Sequence, residues 1–282
     1  MKAIVVGVDF LNESFAALKM AVIIARKTNA KIVLVFVNKY DRAKPVFKTT
    51  SGKLKQEVEK RFETLIKKYS DKLPANHIEY RILEGKRVQQ VINKEAENCQ
   101  ADLIILGTKG DGGFKLFSKS TAFEIVEKAI IPVITIRDGA RVPIEIKTIL
   151  IPIDATLETR QKIPFSAHMA KICGAEIHLL AMYHSEVQTV RENVERYTRQ
   201  AAEYLESNQI DFIVKSIETS DIVNESIKYA NLINADIISI MTSQITTISN
   251  IWNGSYAEQL IDQCPIPVIT VPSKELIRTL SR

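Results

Sequence analysis

At 282 residues the chain is long enough for two ordinary domains, and 46% hydrophobic with 25% charged residues is the composition of a globular protein with a sizeable core. No run reaches the roughly 18 apolar residues of a membrane helix, three scattered cysteines make no disulfide framework, and four histidines without an i,i+4 pair give no metal motif. The net charge of +5 is uneven: residues 1–140 carry 25 Lys/Arg against 16 Asp/Glu, and residues 141–282 carry 13 against 17. Much of the excess lies between Lys39 and Lys72, which reads as a solvated helix face or as a field favouring an anionic ligand.

The apolar run Ala3–Val8 predicts a strand that ends in a carboxylate, Asp9. Because the chain goes straight into this strand, no signal peptide is expected and the location is expected to be cytoplasmic. Asn12 or Ser14 can cap a helix to about Thr28, whose stripe is Ala17, Met20, Ala21, Ile24 and Ala25. Lys31–Val37 reads as a second strand, Gly52–Tyr69 as a helix and His77–Leu83 as a third strand. Gly85 opens a helix to about Cys99, and Ala101-Asp102 leads into the buried strand Leu103–Leu106. Strands alternating with helices in the order β-α-β-α-β-α-β-α-β predict a parallel sheet covered on both faces.

After that fourth strand Gly107, Gly110, Gly112 and Gly113 crowd a turn that also holds Lys109 and Lys115. Lys119 follows, and Ser118, Ser120 and Thr121 are candidate caps of the next helix. Backbone N–H groups at such a turn and helix N-terminus form an anion site; the alternative is a tight turn without a ligand. Asp9 lies where open α/β sheets bind ligands, and its alternative role is to cap the helix that follows.

The pattern then restarts. Lys147–Asp154 (KTILIPID) echoes Lys2–Asp9 (KAIVVGVD) 145 positions on. Ala235-Asp236-Ile237-Ile238 echoes Ala101-Asp102-Leu103-Ile104 at 134, and Ile266-Pro267-Val268-Ile269-Thr270 echoes Ile131–Thr135 at 135. A tandem duplication is expected, with domains 1–140 and 145–282 and a shorter middle in the second copy.

These residues resemble the universal stress protein family in its tandem two-domain form. The resemblance rests on Asp9, the helix led by Gly85, the Ala-Asp before strand four, the glycine turn and the Pro-Val opening strand five. It implies an α/β fold of two five-stranded parallel-sheet domains, doubly wound and Rossmann-like, and a regulatory or stress-tolerance role. Its nucleotide-binding members carry Gly-x-x-Gly, about nine residues, then Gly-Ser/Thr for the phosphates of ATP. Gly107-Thr108-Lys109-Gly110 matches the first part. The third glycine is replaced: register from Pro132 places Lys119 there with Ser120 next, while counting from Gly110 places Ser120 there with Thr121 next. Asp9 and Val37 match the adenosine side. The resemblance therefore implies ATP or another adenine nucleotide, weakly held in the first domain by Asp9, Val37, Gly107, Gly110, Lys119, Ser120 and Thr121.

In the second copy Met241 and Gln244 replace the leading glycines, so no triphosphate is expected there and Asp154 is expected to be structural. Trp252 and Tyr256 are expected to pack against the neighbouring copy or a partner rather than line a remodelled pocket. The two domains are expected to pack as a pseudo-dimer; homodimerisation is left open, and neither nucleic acid nor membrane is an expected partner. No metal or catalytic residue is expected. The alternatives are a structural or interaction protein without nucleotide, and a slow ATPase. Dehydrogenase and P-loop fingerprints are absent from the sequence.

Overall fold

The computed structural model describes residues 1–38, 51–108, 119–242 and 255–273, and the chain divides into two units, Met1–Asp138 and Gly139–Arg282. In the first unit the order is β1 (Ala3–Gly7), α1 (Asn12–Thr28), β2 (Lys31–Asn38), α2 (Ser51–Tyr69), β3 (Ile78–Glu84), α3 (Val88–Asn98), β4 (Leu103–Thr108), α4 (Lys119–Lys128) and β5 (Val133–Arg137). In the second it is β6 (Thr148–Ile153), α5 (Ile163–Cys173), β7 (Glu176–Tyr183), α6 (Gln188–Ser207), β8 (Phe212–Glu218), α7 (Ile222–Leu232), β9 (Ile237–Met241), α8 (Tyr256–Gln263) and β10 (Val268–Val271).

The strands lie β3-β2-β1-β4-β5 and β8-β7-β6-β9-β10, parallel within each unit. The central strands are buried along their length, as expected of a sheet with helices on both faces. The order reverses between β1 and β4, and between β6 and β9, so the ligand-binding crevice expected of an open α/β sheet lies at the carboxyl ends of those pairs. Asp9 follows β1 and Gly107 lies in β4; Asp154 follows β6 and Met241 ends β9.

Several repeated signals prove to be ties of the fold. The Ala-Asp pair before the fourth strand anchors the first: Asp102 N–H donates to the Ala3 carbonyl (2.9 Å) and its carboxylate accepts from the Lys2 N–H. The second copy repeats this, with the Asp236 carboxylate accepting from Lys147 (2.7 Å) and Thr148 (3.1 Å). Both first helices end on a left-handed residue, Asn29 (φ 58°) and Gly174 (φ 67°), the two residue types that tolerate that cap. The helix α1 is capped differently from expectation. Its N-cap is Leu11, Asn12 is already helical, and the Ser14 hydroxyl donates to the Leu11 carbonyl (2.9 Å). Likewise α3 starts at Val88 rather than at Gly85, which lies in the preceding turn.

Gly107 shows how tightly the first unit is packed. Ala17, Ala21 and Ala25 give α1 a low, fully buried ridge. The helix comes so close to β4 that a β-carbon at Gly107 would stand 2.1 Å from the backbone carbon and oxygen of Glu13 and 2.7 Å from the Ser14 nitrogen. At Met241 a side chain fills the corresponding place, and the chain opposite runs as a 3-10 turn, Leu157–Lys162, before α5 begins. A side chain on the strand excludes the close helix, and Pro164 in the first turn of α5 fixes the later start. Gly107→Ala should therefore destabilise the first unit by about 3 kcal/mol, the upper range of core overpacking. Urea unfolding of the full chain measures it; a change below about 1 kcal/mol would show that α1 can retreat without cost.

Candidate functional site at the carboxyl ends of β1 and β4

Asp9 leaves the sheet at the end of β1 and is 5% exposed. Its Oδ1 accepts the Leu11 N–H (3.1 Å), turning the chain into α1. Burial raises its pKa above the ordinary 3.8; the Leu11 N–H and the Ser14 hydroxyl pull it back, and Glu13, also buried, pushes it further up. Among the described residues the groups that steady this carboxylate are thus dipoles, not a cation.

Phe10 holds the turn in an unusual way. It takes φ 61°, a region that costs a bulky side chain roughly 1 kcal/mol or more. Its ring sits 4.9 Å from Phe62 and 5.8 Å from Phe36, centroid to centroid, and the Arg61 guanidinium lies 5.6 Å over it. Phe62 in turn stacks on Tyr80 (4.9 Å). This aromatic packing fixes a strained residue next to Asp9. Sequence reasoning missed it, since Phe10 reads as one more apolar residue; the aromatic spacing of positions 10, 36, 62 and 80 becomes a cluster only in the fold.

The other expected site residues are placed as follows. Val37 is fully buried near the end of β2. Gly107 lies in β4, where its missing side chain serves α1. The backbone of Lys119 and Ser120 opens α4, and Thr121, half-buried, stands one residue further along that helix. Neither Ser120 nor Thr121 is a flanking cap, because α4 already starts at Lys119. Gly110, Lys109, Lys115 and Ser118, and in the second copy Gln244, Trp252 and Gly254, lie outside the described residues. The topology therefore brings Asp9, Val37, Gly107 and the first turn of α4 to one edge of one sheet.

The second copy repeats the turn and changes its chemistry. The Asp154 carboxylate, 1% exposed, accepts from the Thr156 N–H (2.7 Å) and from the Thr156 hydroxyl. The Thr159 hydroxyl accepts from the Asp154 N–H (3.3 Å) and from the ammonium of Lys162 (3.0 Å). Lys162 is completely buried at the position where the first copy has Ala17. Burial lowers its pKa from 10.5 to about 8 while the charge of Asp154 pulls it back up. The second carboxylate thus has a resident cation.

Tyr256 corrects an expectation. It is wholly buried in its own unit, and its hydroxyl pairs with Ser226 Oγ (2.9 Å), which also bonds the Ile222 carbonyl (2.6 Å) and approaches the Met182 sulfur (3.5 Å). Ser255 before it is the N-cap of α8, its Oγ accepting from the Glu258 N–H (3.2 Å). Among the described residues no group of three His, Cys, Asp or Glu side chains is placed to hold a metal.

A doubly wound parallel α/β sheet, present twice, with a carboxylate at the switch point of each copy, defines a tandem pair of Rossmann-like domains. The universal stress protein family model matches residues 1–137 and again 145–272, and the chain belongs to that family. A universal stress protein from Archaeoglobus fulgidus DSM 4304 has a similar fold, with a TM-score of 0.70 at 18% identity over 96% of both chains. A universal stress protein from Pseudomonas aeruginosa UCBPP-PA14 follows with 0.63 at 18% identity, over 99% of this chain and 96% of that one. Among curated proteins no sequence matches.

The raised pKa of Asp9 has a defined sign. The proton is favoured in the folded state, so this group's contribution is full below pH 3.8 and is lost as pH rises through the raised value. Asp9→Asn keeps an acceptor for Leu11 and removes the charge. It should unfold about 3 °C above the parent at pH 7, as about 1 kcal/mol gives in a domain of this size, and together with it at pH 3. Thermal melts at both pH values measure this; an Asn form less stable at pH 7 would show the charge to be stabilising.

Proposed function

We propose that the first unit binds an adenine nucleotide weakly, that the second binds none, and that the chain is a cytoplasmic regulatory or stress-tolerance binding module rather than a catalyst. The observation that carries this reading is the contrast between two buried carboxylates. Asp154 has the charge of Lys162 acting on it, whereas among the described residues Asp9 is steadied by backbone N–H groups and a hydroxyl. A buried carboxylate without a counter-ion gains most from added hydrogen-bond donors, and the hydroxyls of a ribose are such donors. The negative pair Asp9 and Glu13 disfavours a phosphate at that spot, so the phosphates belong at the first turn of α4, where N–H groups and the helix dipole favour anions. Lys119 at that turn, in place of a glycine, adds bulk and is the reason for weak binding.

A second reading, a protein-interaction module, is favoured by one observation. Among the described residues all seven exposed large apolar side chains (Ile144, Leu157, Val187, Tyr204, Ile213, Val214 and Leu232) belong to the second unit. The two readings are compatible, with ligand in one unit and partner contacts on the other. Pairing of the units as a pseudo-dimer is part of the proposal and rests on the closing strands β5 and β10, which end the strand order of their units and need cover.

Calorimetric titration of the full chain with ATP should give one site per chain with a dissociation constant in the tens of micromolar, about −6 kcal/mol. Lys119→Gly should tighten it and Asp9→Ala should weaken it about tenfold. Two sites, no heat from any of the three forms, or equal binding by the Asp9 variant would reject the reading. Phosphate release above background would move the chain to the slow-ATPase alternative.

A further inference from the structure

The second unit carries more than missing glycines: three large side chains stand where the first unit has small ones. Aligned by the internal repeat, Lys162 replaces Ala17, Met241 replaces Gly107 and Tyr256 replaces Thr121. All three are fully buried, whereas Thr121 is half-exposed. Tyr256 reaches the Ser226 hydroxyl, and through it the sulfur of Met182, which is the repeat equivalent of Val37. Its hydroxyl also lies within electrostatic reach of Asp154, the equivalent of Asp9. Tyr256 is therefore linked through Ser226 to the end of β7 and feels the charge of Asp154, the two features that flank the expected adenosine position in the first copy. Lys162, meanwhile, brings a cation to Thr159 beside that carboxylate.

We propose that the second unit is closed by its own side chains, with the Tyr256 ring filling space that a ligand would take and the Lys162 ammonium standing in for the donors of a ribose, and that the Thr121/Tyr256 position sets which copy accepts a ligand. The proposal rests on the reading of the first unit for the identity and the place of the ligand. The closure is internally satisfied. The phenol hydroxyl has a partner, the ammonium has a hydroxyl and the charge of a nearby carboxylate, and a fully buried ring gives dispersion contacts that an external ligand would have to replace. A nucleoside has no donor-seeking carboxylate left to meet there. The first unit, with alanine and threonine at the same two places, leaves both roles to a ligand.

The test reads the methyl groups of methionine by NMR in the full chain, with Met182 assigned by substitution and adenosine as the probe. In the parent chain adenosine up to millimolar concentration should leave Met182 unmoved. In Tyr256→Thr/Lys162→Ala, which installs the first copy's residues, adenosine should shift Met182 saturably, at least tenfold more tightly than any parent response. Tyr256→Phe, which keeps the ring, should stay silent. A saturable Met182 shift in the parent, or a folded double variant that remains silent, overturns the proposal. If the double variant does not fold, Tyr256→Thr alone is read in the same way. Because Met182 reports only on the second unit, the outcome is independent of the ATP titration: a responsive variant with no first-unit site sinks the nucleotide reading and leaves the closure standing.

Discussion

The closeness of a helix backbone to a strand is the constraint from which the asymmetry of this chain follows. In the first unit α1 lies against β4 at a point where only a hydrogen fits, so Gly107 is required for packing before any ligand is considered. That contact brings the first turn of α1, and with it Ser14 and Glu13, up against the switch point beside Asp9. In the second unit a methionine occupies the same strand position, the helix opens with a 3-10 turn, and the freed interior takes in Lys162. One missing β-carbon thus goes with a carboxylate that, among the described residues, depends on dipoles, and its presence with a carboxylate that has a buried ammonium within electrostatic reach.

The electrostatics follow from this geometry. A carboxylate taken out of water must be hydrogen-bonded, paired or protonated. Asp154 is hydrogen-bonded within the fold and lies within electrostatic reach of the Lys162 ammonium. Among the described residues Asp9 is held by hydrogen bonds alone, and burial raises its pKa. Such a site gains free energy when a ligand brings donors, and a domain whose stability responds to a ligand is suited to sensing it. The second unit carries all the exposed large apolar side chains found among the described residues.

Much of this was legible in the sequence. The alternation of strands and helices, the tandem repeat and the family follow from apolar runs, from Asp9 and Asp154 at strand ends, and from paired Ala-Asp and Ile-Pro-Val motifs, because burial on both faces of a parallel sheet leaves few choices of residue. The roles of individual motif residues were harder to read. Gly107 looks like a phosphate glycine, yet its neighbour is the α1 backbone; the Ala-Asp motif ties β1 to β4; Ser14 bonds the Leu11 carbonyl instead of capping. Phe10 and Lys162 gave no signal, since a strained φ and a buried ammonium depend on what the fold brings together from distant positions. Tyr256 was misassigned for the same reason: an aromatic at a helix start reads as a contact for the neighbouring copy or a partner until Ser226 is seen to face it.

The difference between the two carboxylates is measurable directly. Carbon-13 labelling of the aspartate side chains in the full chain, with Asp9 and Asp154 assigned by substitution, reports both groups while ATP is added at neutral pH. The account predicts that the Asp9 carboxyl resonance titrates above the ordinary carboxylate range without ligand and moves saturably with ATP, while that of Asp154 stays in place. Equal movement of both resonances, or an Asp9 resonance that ignores ATP, would contradict it.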